Sequence, residues 1–278
     1  MNPFSQSALP ISKTYESFCT LYPKPYHPLE IDPYLNDVDF ALKEKRRMPI
    51  TQRKEVFDCS CCPPNIARFV ASIGDFLYTY NDSTVFVHHY FESEAEFDGI
   101  KIVQNTEYPN NGAIKLSVKG MKGKTLAVRI PAWAEKYEIG AEYKTEKGYA
   151  YIEIDGDEKE ISLDFAMECR LVAANPAVEA DIGRVALCRG PLVYCAERVD
   201  NEVSLNSLSI SENLNAETVF NEDMQAYTVE TDGFEDAATT ALYRTYKPDF
   251  VSRRIKLIPY FAFANRGESD MLVWLRIK

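Results

Sequence analysis

From Val85 onward, apolar side chains recur at every second position in short runs separated by turns. Ile114, Leu116 and Val118 alternate with polar residues after the turn sequence Asn110-Asn111-Gly112. A period of two puts alternate side chains on opposite faces of a strand, so that one face can be buried. Turns at intervals of roughly 8–12 residues are typical of β-sandwiches. The sequence therefore predicts a mainly β chain with two β-sandwich domains. The other predicted strands are Leu126–Ile130, Tyr149–Ile154, Ile161–Phe165, Arg184–Cys188, Leu192–Cys195, Lys256–Phe263 and Met271–Ile277.

One segment has helical spacing instead. Residues 65–80, NIARFVASIGDFLYTY, carry a single apolar stripe that includes Ile66, Phe69 and Ile73. Asn65 is a good N-cap, and Asn81-Asp82 is expected to end the helix. This is the one clear helix that the pattern predicts.

The length of 278 residues suggests two domains or three small ones. We predict an irregular segment with the helix and a cysteine cluster at 1–80, a first β-sandwich at 81–182 and a second at 183–270.

Composition restricts the partners. The chain has 31 Lys and Arg against 42 Asp and Glu, a net charge of −11, which should repel nucleic acid and anionic membranes. No apolar run approaches the roughly 18 residues of a membrane span. The first residues, MNPFSQSALP, lack the features of a signal peptide, which favours the cytoplasm. The seven cysteines, an odd number, are then expected to be reduced thiols.

Three cysteines fall within four residues, just before the predicted helix: Cys59, Cys61 and Cys62. The amino end of a helix stabilises anions, so a thiol there should be more acidic than a free cysteine. Neighbouring thiolates also suit a metal ion, although zinc normally takes four ligands and this segment offers three. The simpler interpretation, small buried apolar residues at a helix start, remains open from spacing alone.

Histidines are the obvious candidates for a further ligand. His88 and His89 are neighbours on a predicted strand and should point to opposite faces, so at most one can face a given site. His27 lies in the irregular amino-terminal segment. A structural role is favoured for each.

Several motifs together resemble the β-L-arabinofuranosidases of glycoside hydrolase family 127. They are Cys61-Cys62-Pro63-Pro64-Asn65 with Ile66-Ala67-Arg68, Val128-Arg129-Ile130-Pro131-Ala132-Trp133, residues 183–194 (GRVALCRGPLVY) and the segment from Ile258 to Trp274. The resemblance runs from about Tyr34 to the end. It implies an (α/α)6 barrel followed by two β-sandwiches, with residues 65–80 as a remnant of that barrel. It also implies that the strand at 271–278 can join the first sandwich.

The resemblance further implies a carbohydrate substrate and a retaining glycosidase in which a cysteine thiolate is both nucleophile and zinc ligand. Cys61 matches the nucleophile and Cys62 a second zinc ligand, and Cys59 is an extra cysteine that could occupy the metal. The family's acid/base glutamate and its Glu-x-Cys zinc ligands have no match in residues 1–58. We therefore expect a truncated chain with little activity alone. Two alternative functions stay open: a non-catalytic carbohydrate-binding module and one half of a split glycosidase. For its assembly, a homodimer and a partner chain that supplies the barrel both stay open.

Overall fold

A computed structural model describes residues 62–236, 243, 245, 247, 249–266 and 269–278. These divide into two compact units, residues 62–168 and 169–278. Within the described ranges, no helix is long and apolar enough to span a bilayer.

The first unit opens with helix α1 (Cys62–Ala71) and a 3-10 turn (Ile73–Phe76). Ten strands follow: β1 (Tyr78–Tyr80), β2 (Thr84–Val87), β3 (Ser93–Phe97), β4 (Ile100–Thr106), β5 (Ala113–Lys119), β6 (Lys124–Arg129), β7 (Tyr137–Ile139), β8 (Lys144–Glu146), β9 (Tyr149–Ile154) and β10 (Glu158–Phe165).

Helix α1 is a helix where the sequence predicts one, but its bounds differ. It begins at Cys62 rather than Asn65, because Pro63 and Pro64 fit a first helical turn, where backbone N–H groups have no partner within the helix. It ends at Ala71, where the Ser72 N–H is shared between the carbonyls of Arg68 and Phe69, 3.1 Å from each. The rest of the predicted helix is the 3-10 turn and β1.

The ten strands of the first unit form a sandwich of two five-stranded sheets. The first sheet has the order β1-β2-β6-β9-β8 and the second the order β3-β4-β5-β10-β7. Alternation fixes which face is buried: along β5, Ile114, Leu116 and Val118 are buried and the residues between them are not. The apolar faces of both sheets make one core, which confirms the predicted sandwich.

The second unit is built from a nine-stranded sheet. Its elements are β11 (Cys169–Ala173), β12 (Arg184–Arg189), β13 (Leu192–Glu197), α2 (Arg198–Asn201), β14 (Leu208–Ile210), β15 (Glu217–Asn221), β16 (Ala226–Asp236), β17 (Phe250–Pro259), β18 (Met271–Leu272) and β19 (Leu275–Ile277), with 3-10 turns at Glu179–Asp181, Leu205–Ser207 and Tyr260–Ala262.

Strand pairing closes a circuit in this unit. The order is β11-β12-β19-β14-β16-β17-β13-β18, β15 pairs with β16, and an additional β12–β13 pairing joins the two ends of a six-stranded run. The strands surround a separate core that contains Leu187, Tyr194 and Leu257.

Two predictions about domain limits are wrong. The strand at 271–278 does not join the first sandwich: β18 pairs with β13, and β19 pairs with β12 and β14, all in the second unit. The second unit also starts at Cys169 rather than residue 183, because β11 pairs along its length with β12. Neither partner strand can be inferred from alternation, which is a local pattern.

Candidate functional site

The amino end of α1 is the first candidate site. Cys62 is the first residue of the helix, and among the first four residues Cys62 and Asn65 carry backbone N–H groups, whereas Pro63 and Pro64 have none. Arg68 Nη2 donates to Asn65 Oδ1 at 2.7 Å, which ties the first turn to the second. Cys59 and Cys61 lie outside the described residues, and so does the Cys62 side chain. Their predicted roles in catalysis and zinc binding therefore stay predictions.

The cysteines of the second unit are poor candidates for a nucleophile. Cys169, Cys188 and Cys195 carry free thiols, and the latter two are buried. Burial raises the pKa of Cys188 to about 11 and raises the pKa of Cys195 well above its ordinary value. Burial also raises the pKa of Cys169, against the positive charge of Arg189. Because the thiolate is the reactive form, the raised pKa values disfavour all three as nucleophiles at neutral pH.

One of the two histidines of the first unit, His88, has structural partners on two strands. Thr79 Oγ1 and His88 Nε2 share a hydrogen bond at 2.7 Å, and His88 Nδ1 shares another with Tyr149 Oη at 2.7 Å. Burial, followed by the positive charge of Arg129, lowers the pKa of both His88 and His89. Across the described part of the chain, no three His, Cys, Asp or Glu side chains are grouped so as to hold a metal. His27 lies outside the described residues.

Glu197 is a buried carboxylate and therefore a candidate catalytic acid. The Glu197 side chain is only 1% exposed, but both its oxygens are occupied. Oε1 accepts the Ala264 N–H at 2.7 Å and Oε2 accepts Arg266 Nη2 at 2.5 Å. Arg266 also pairs with Asp200, which Lys256 approaches to 3.3 Å. This group ties β13 and α2 to the loop after β17, and the hydrogen bond that each Glu197 oxygen accepts within it argues for a structural role. Sequence reasoning missed it because its members are far apart in the chain.

A second feature that sequence reasoning missed is an aromatic surface on the first sheet. Phe86, His88, Tyr149 and Tyr151 lie on its outer face, opposite the buried core. The two-residue spacing of Tyr149 and Tyr151 on a predicted strand was a usable signal. The pairing of β2 and β9 on either side of β6 was not visible in the sequence.

Comparison with known proteins places both units in one family of carbohydrate-active proteins. The domain described as "Beta-L-arabinofuranosidase, GH127 middle domain" matches residues 84–167, and "Glycoside hydrolase family 127 C-terminal domain" matches residues 169–276. The two matched segments meet at the boundary between the structural units.

Individual relatives agree. The chain is 31% identical over 256 residues to a non-reducing end β-L-arabinofuranosidase of Bifidobacterium longum subsp. longum, covering 83% of this chain and 39% of the relative. A GH127 β-L-arabinofuranosidase of Geobacillus stearothermophilus T6 is 34% identical with a TM-score of 0.77, covering 87% of this chain and 41% of that one. A further GH127 β-arabinofuranosidase is 32% identical with a TM-score of 0.69, covering 82% and 40%.

The fold and these matches define a β-sandwich portion of a glycoside hydrolase. The chain belongs to glycoside hydrolase family 127, of which it contains the middle and carboxyl-terminal domains. It spans about 40% of the length of the relatives that it matches.

Proposed function

We propose that this chain takes part in retaining hydrolysis of β-L-arabinofuranosides, with Cys61 as the nucleophile. The observation that carries the proposal is the position of Cys62 at the first residue of α1, in a chain whose next two domains match the family. The neighbouring Cys61 then precedes the positive end of the helix dipole, which favours a thiolate. The buried thiols of the second unit offer no comparable nucleophile.

The proposed reaction is a double displacement. The Cys61 sulfur forms a bond to the anomeric carbon as the bond from that carbon to the leaving oxygen breaks, and a general acid gives that oxygen a proton. Water then attacks the same carbon, a base takes the water's proton, and the sulfur leaves as thiolate. Two inversions give net retention, as in retaining glycosidases that use carboxylates.

Zinc is the proposed cofactor. Thiolates are good zinc ligands, and we propose Cys59, Cys61 and Cys62 as the residues of this chain that hold it. When bound, the metal keeps thiolates deprotonated and fixes their position. The donor chemistry fits zinc, but three thiolates leave one of its usual four positions to be filled by another group.

The proposed site needs a contribution from elsewhere. Glu197 is engaged by Arg266 and Ala264, and residues 1–58 contain no Glu-x-Cys sequence. The relatives are more than twice as long as the matched region. We therefore propose that the part of the relatives that this chain does not match, on the same or on a partner polypeptide, has an equivalent that supplies the general acid and the remaining ligand.

A second candidate function is carbohydrate binding without catalysis. The aromatic outer face of the first sheet favours it, because half-buried rings flanked by polar groups are suited to sugar surfaces. This function needs neither the cysteines nor a partner.

Hydrolysis tests the first candidate. We expect the chain alone to release little p-nitrophenol from p-nitrophenyl β-L-arabinofuranoside. Adding the unmatched portion of the Bifidobacterium relative should raise the rate, and Cys61→Ser should abolish the gain. Cys169→Ser is the matched control and should keep it. Robust turnover by the chain alone, lost in Cys61→Ser, would overturn the need for a partner; turnover that survives Cys61→Ser would overturn the nucleophile.

Metal content tests the cofactor separately. Purified chain should contain stoichiometric zinc that is lost in Cys62→Ser and kept in Cys169→Ser, measured by plasma mass spectrometry. Zinc that is unaffected by substitution of all three clustered cysteines would show that the ligands lie elsewhere.

A further inference from the structure

The outer face of the first sheet points away from the core, and its rings Phe86, Tyr149 and Tyr151 are half-buried. Neighbouring strands put Phe86 of β2, Ala127 of β6 and Tyr151 of β9 in one cross-strand row. Tyr149 pairs with Arg129 in the next row. On the outer face of these five fully described strands, Ala127 is the one aliphatic side chain, and it is completely buried.

The rings form one connected surface. Phe86 and His88 are nearly parallel, with centroids 6.1 Å apart and 8° between planes. Tyr149 and Tyr151 meet Phe86 edge to face at 5.7 and 6.2 Å, with interplanar angles of 89° and 87°. These contacts reach across β6 and cover Ala127. Edge-to-face packing of this kind is a preferred ring geometry and holds the surface rigid.

Hydrogen bonds fix the rings further. The Thr79–His88–Tyr149 chain of two 2.7 Å hydrogen bonds crosses from β1 to β9. It holds the imidazole and the phenol in one orientation, so these side chains lose little conformational entropy when a ligand binds. A preformed surface is what a weakly bound, flat ligand requires.

Charge indicates what kind of ligand fits. The chain as a whole carries a net charge of −11. The charged side chains on this face are balanced, two positive and two negative, and hydroxyl groups accompany them. The surrounding polar residues are Thr79, Thr84, Thr125, Arg129, Lys144, Glu146 and Glu153. A locally neutral surface in an acidic chain favours an uncharged partner over a basic or acidic one.

We propose that this outer face binds a neutral oligosaccharide. Sugar rings present C–H groups on their faces, which contact aromatic rings, and hydroxyls at their edges, which reach the polar residues around Phe86 and Tyr151. A protein partner would be expected to meet exposed aliphatic side chains as well, and this face has none among its five strands. The choice of L-arabinose as the sugar rests on the proposed function, whereas the surface itself does not.

Titration of the unmodified chain with a linear L-arabino-oligosaccharide, followed by NMR of 13C-labelled Phe and Tyr rings, tests the proposal. Phe86 and Tyr151 signals should shift, and Phe86→Ala and Tyr151→Ala should each weaken binding about tenfold. Phe220→Ala is the matched control, since Phe220 is a partly exposed ring on a strand of the second unit that also meets a tyrosine edge to face. It should bind as the unmodified chain does.

Each outcome decides a point. Absence of binding at millimolar sugar, or shifts confined to rings away from this face, overturns the proposal even if the alanine variants fail to fold. Equal binding of an anionic oligogalacturonide contradicts the neutrality argument. Equal binding of a cello-oligosaccharide contradicts only the choice of arabinose. Because binding does not involve Cys61, loss of hydrolysis with binding intact overturns the proposed function alone, and hydrolysis without binding here overturns this inference alone.

Discussion

At the scale of single residues, burial decides which titratable groups of the second unit are candidates for chemistry. Cys188 and Cys195 are buried in strands, and burial raises the pKa of both thiols. Cys62, in contrast, is the first residue of α1. Glu197 is ionisable and buried, yet each of its oxygens already accepts a hydrogen bond, one from Ala264 and one from Arg266. A buried titratable group is thus a weaker candidate for function when structural hydrogen bonds already occupy its polar atoms.

The Glu197 pairing makes a testable claim about stability. Arg266→Met leaves the Glu197 carboxylate buried without its cation, and we expect it to lower the free energy of unfolding by about 3 kcal/mol, since removing one partner of a buried pair is costly. Urea denaturation measures it. Lys136→Met is the control: the Lys136–Glu168 pair is exposed and should contribute about 0–1 kcal/mol. Equal losses of unfolding free energy in the two variants would show that the buried pair stabilises the fold no more than the exposed pair does.

At the scale of elements, the turn that leads into β5 passes very close to the end of β10. Gly112 lies just before β5, and its carbonyl accepts the Phe165 N–H at 3.1 Å. An added Cβ would fall 1.8 Å from the Phe165 carbonyl oxygen, which is backbone and cannot rotate away. The close approach of the β5 entry to the end of β10 therefore requires glycine at this position.

Gly112→Ala should consequently destabilise the first unit by about 3 kcal/mol or more, because the clash forces a backbone shift. Gly74→Ala is a matched control, since nothing lies within 4 Å of its added Cβ. That variant should change the free energy of unfolding by less than about 1 kcal/mol, with stabilisation allowed by the loss of backbone freedom. Thermal denaturation of both variants checks this. A Gly112→Ala protein as stable as Gly74→Ala would contradict the close contact.

At the scale of the whole molecule, the main apolar cores of the two described units are separate. The first is drawn from both sheets of the sandwich and the second from the nine-stranded sheet. Leu116 and Leu257 are fully buried, one in each. The family domains divide at the same place as the cores, so each domain carries its own apolar centre.

Leu116→Ala is expected to cost about 2–5 kcal/mol by removing buried methyl groups and leaving a cavity. Hydrogen exchange should show the loss of protection mainly in β4, β5 and β10, with β16 and β17 little affected. Leu257→Ala should show the opposite distribution. Equal loss of protection in both units from either variant would mean that the two cores unfold as one.

Much of the architecture could be predicted from alternation, because which side chains are buried along a strand is a local property. The strands at 114–118, 149–154 and 184–188 are present as the sequence predicts, and the family motifs were readable. The end of α1 at Ala71 could not be predicted from the sequence. The helical stripe continues past it to Leu77, while the backbone changes to a 3-10 turn. The candidate nucleophile also came from sequence, through the cysteine cluster.

Only the tertiary structure decided which strands are neighbours. Pairing of β19 with β12 and β14 moved the end of the chain into the second unit, and pairing of β2 and β9 on either side of β6 assembled the aromatic face. The sequence by itself determined the β class, the two domains, the family and the Cys59–Cys62 cluster. The physical reason for the division is range: periodicity and motifs involve residues close in the chain, whereas Glu197 and Arg266, or Phe86 and Tyr151, meet only because hydrogen-bonded sheets bring distant segments together.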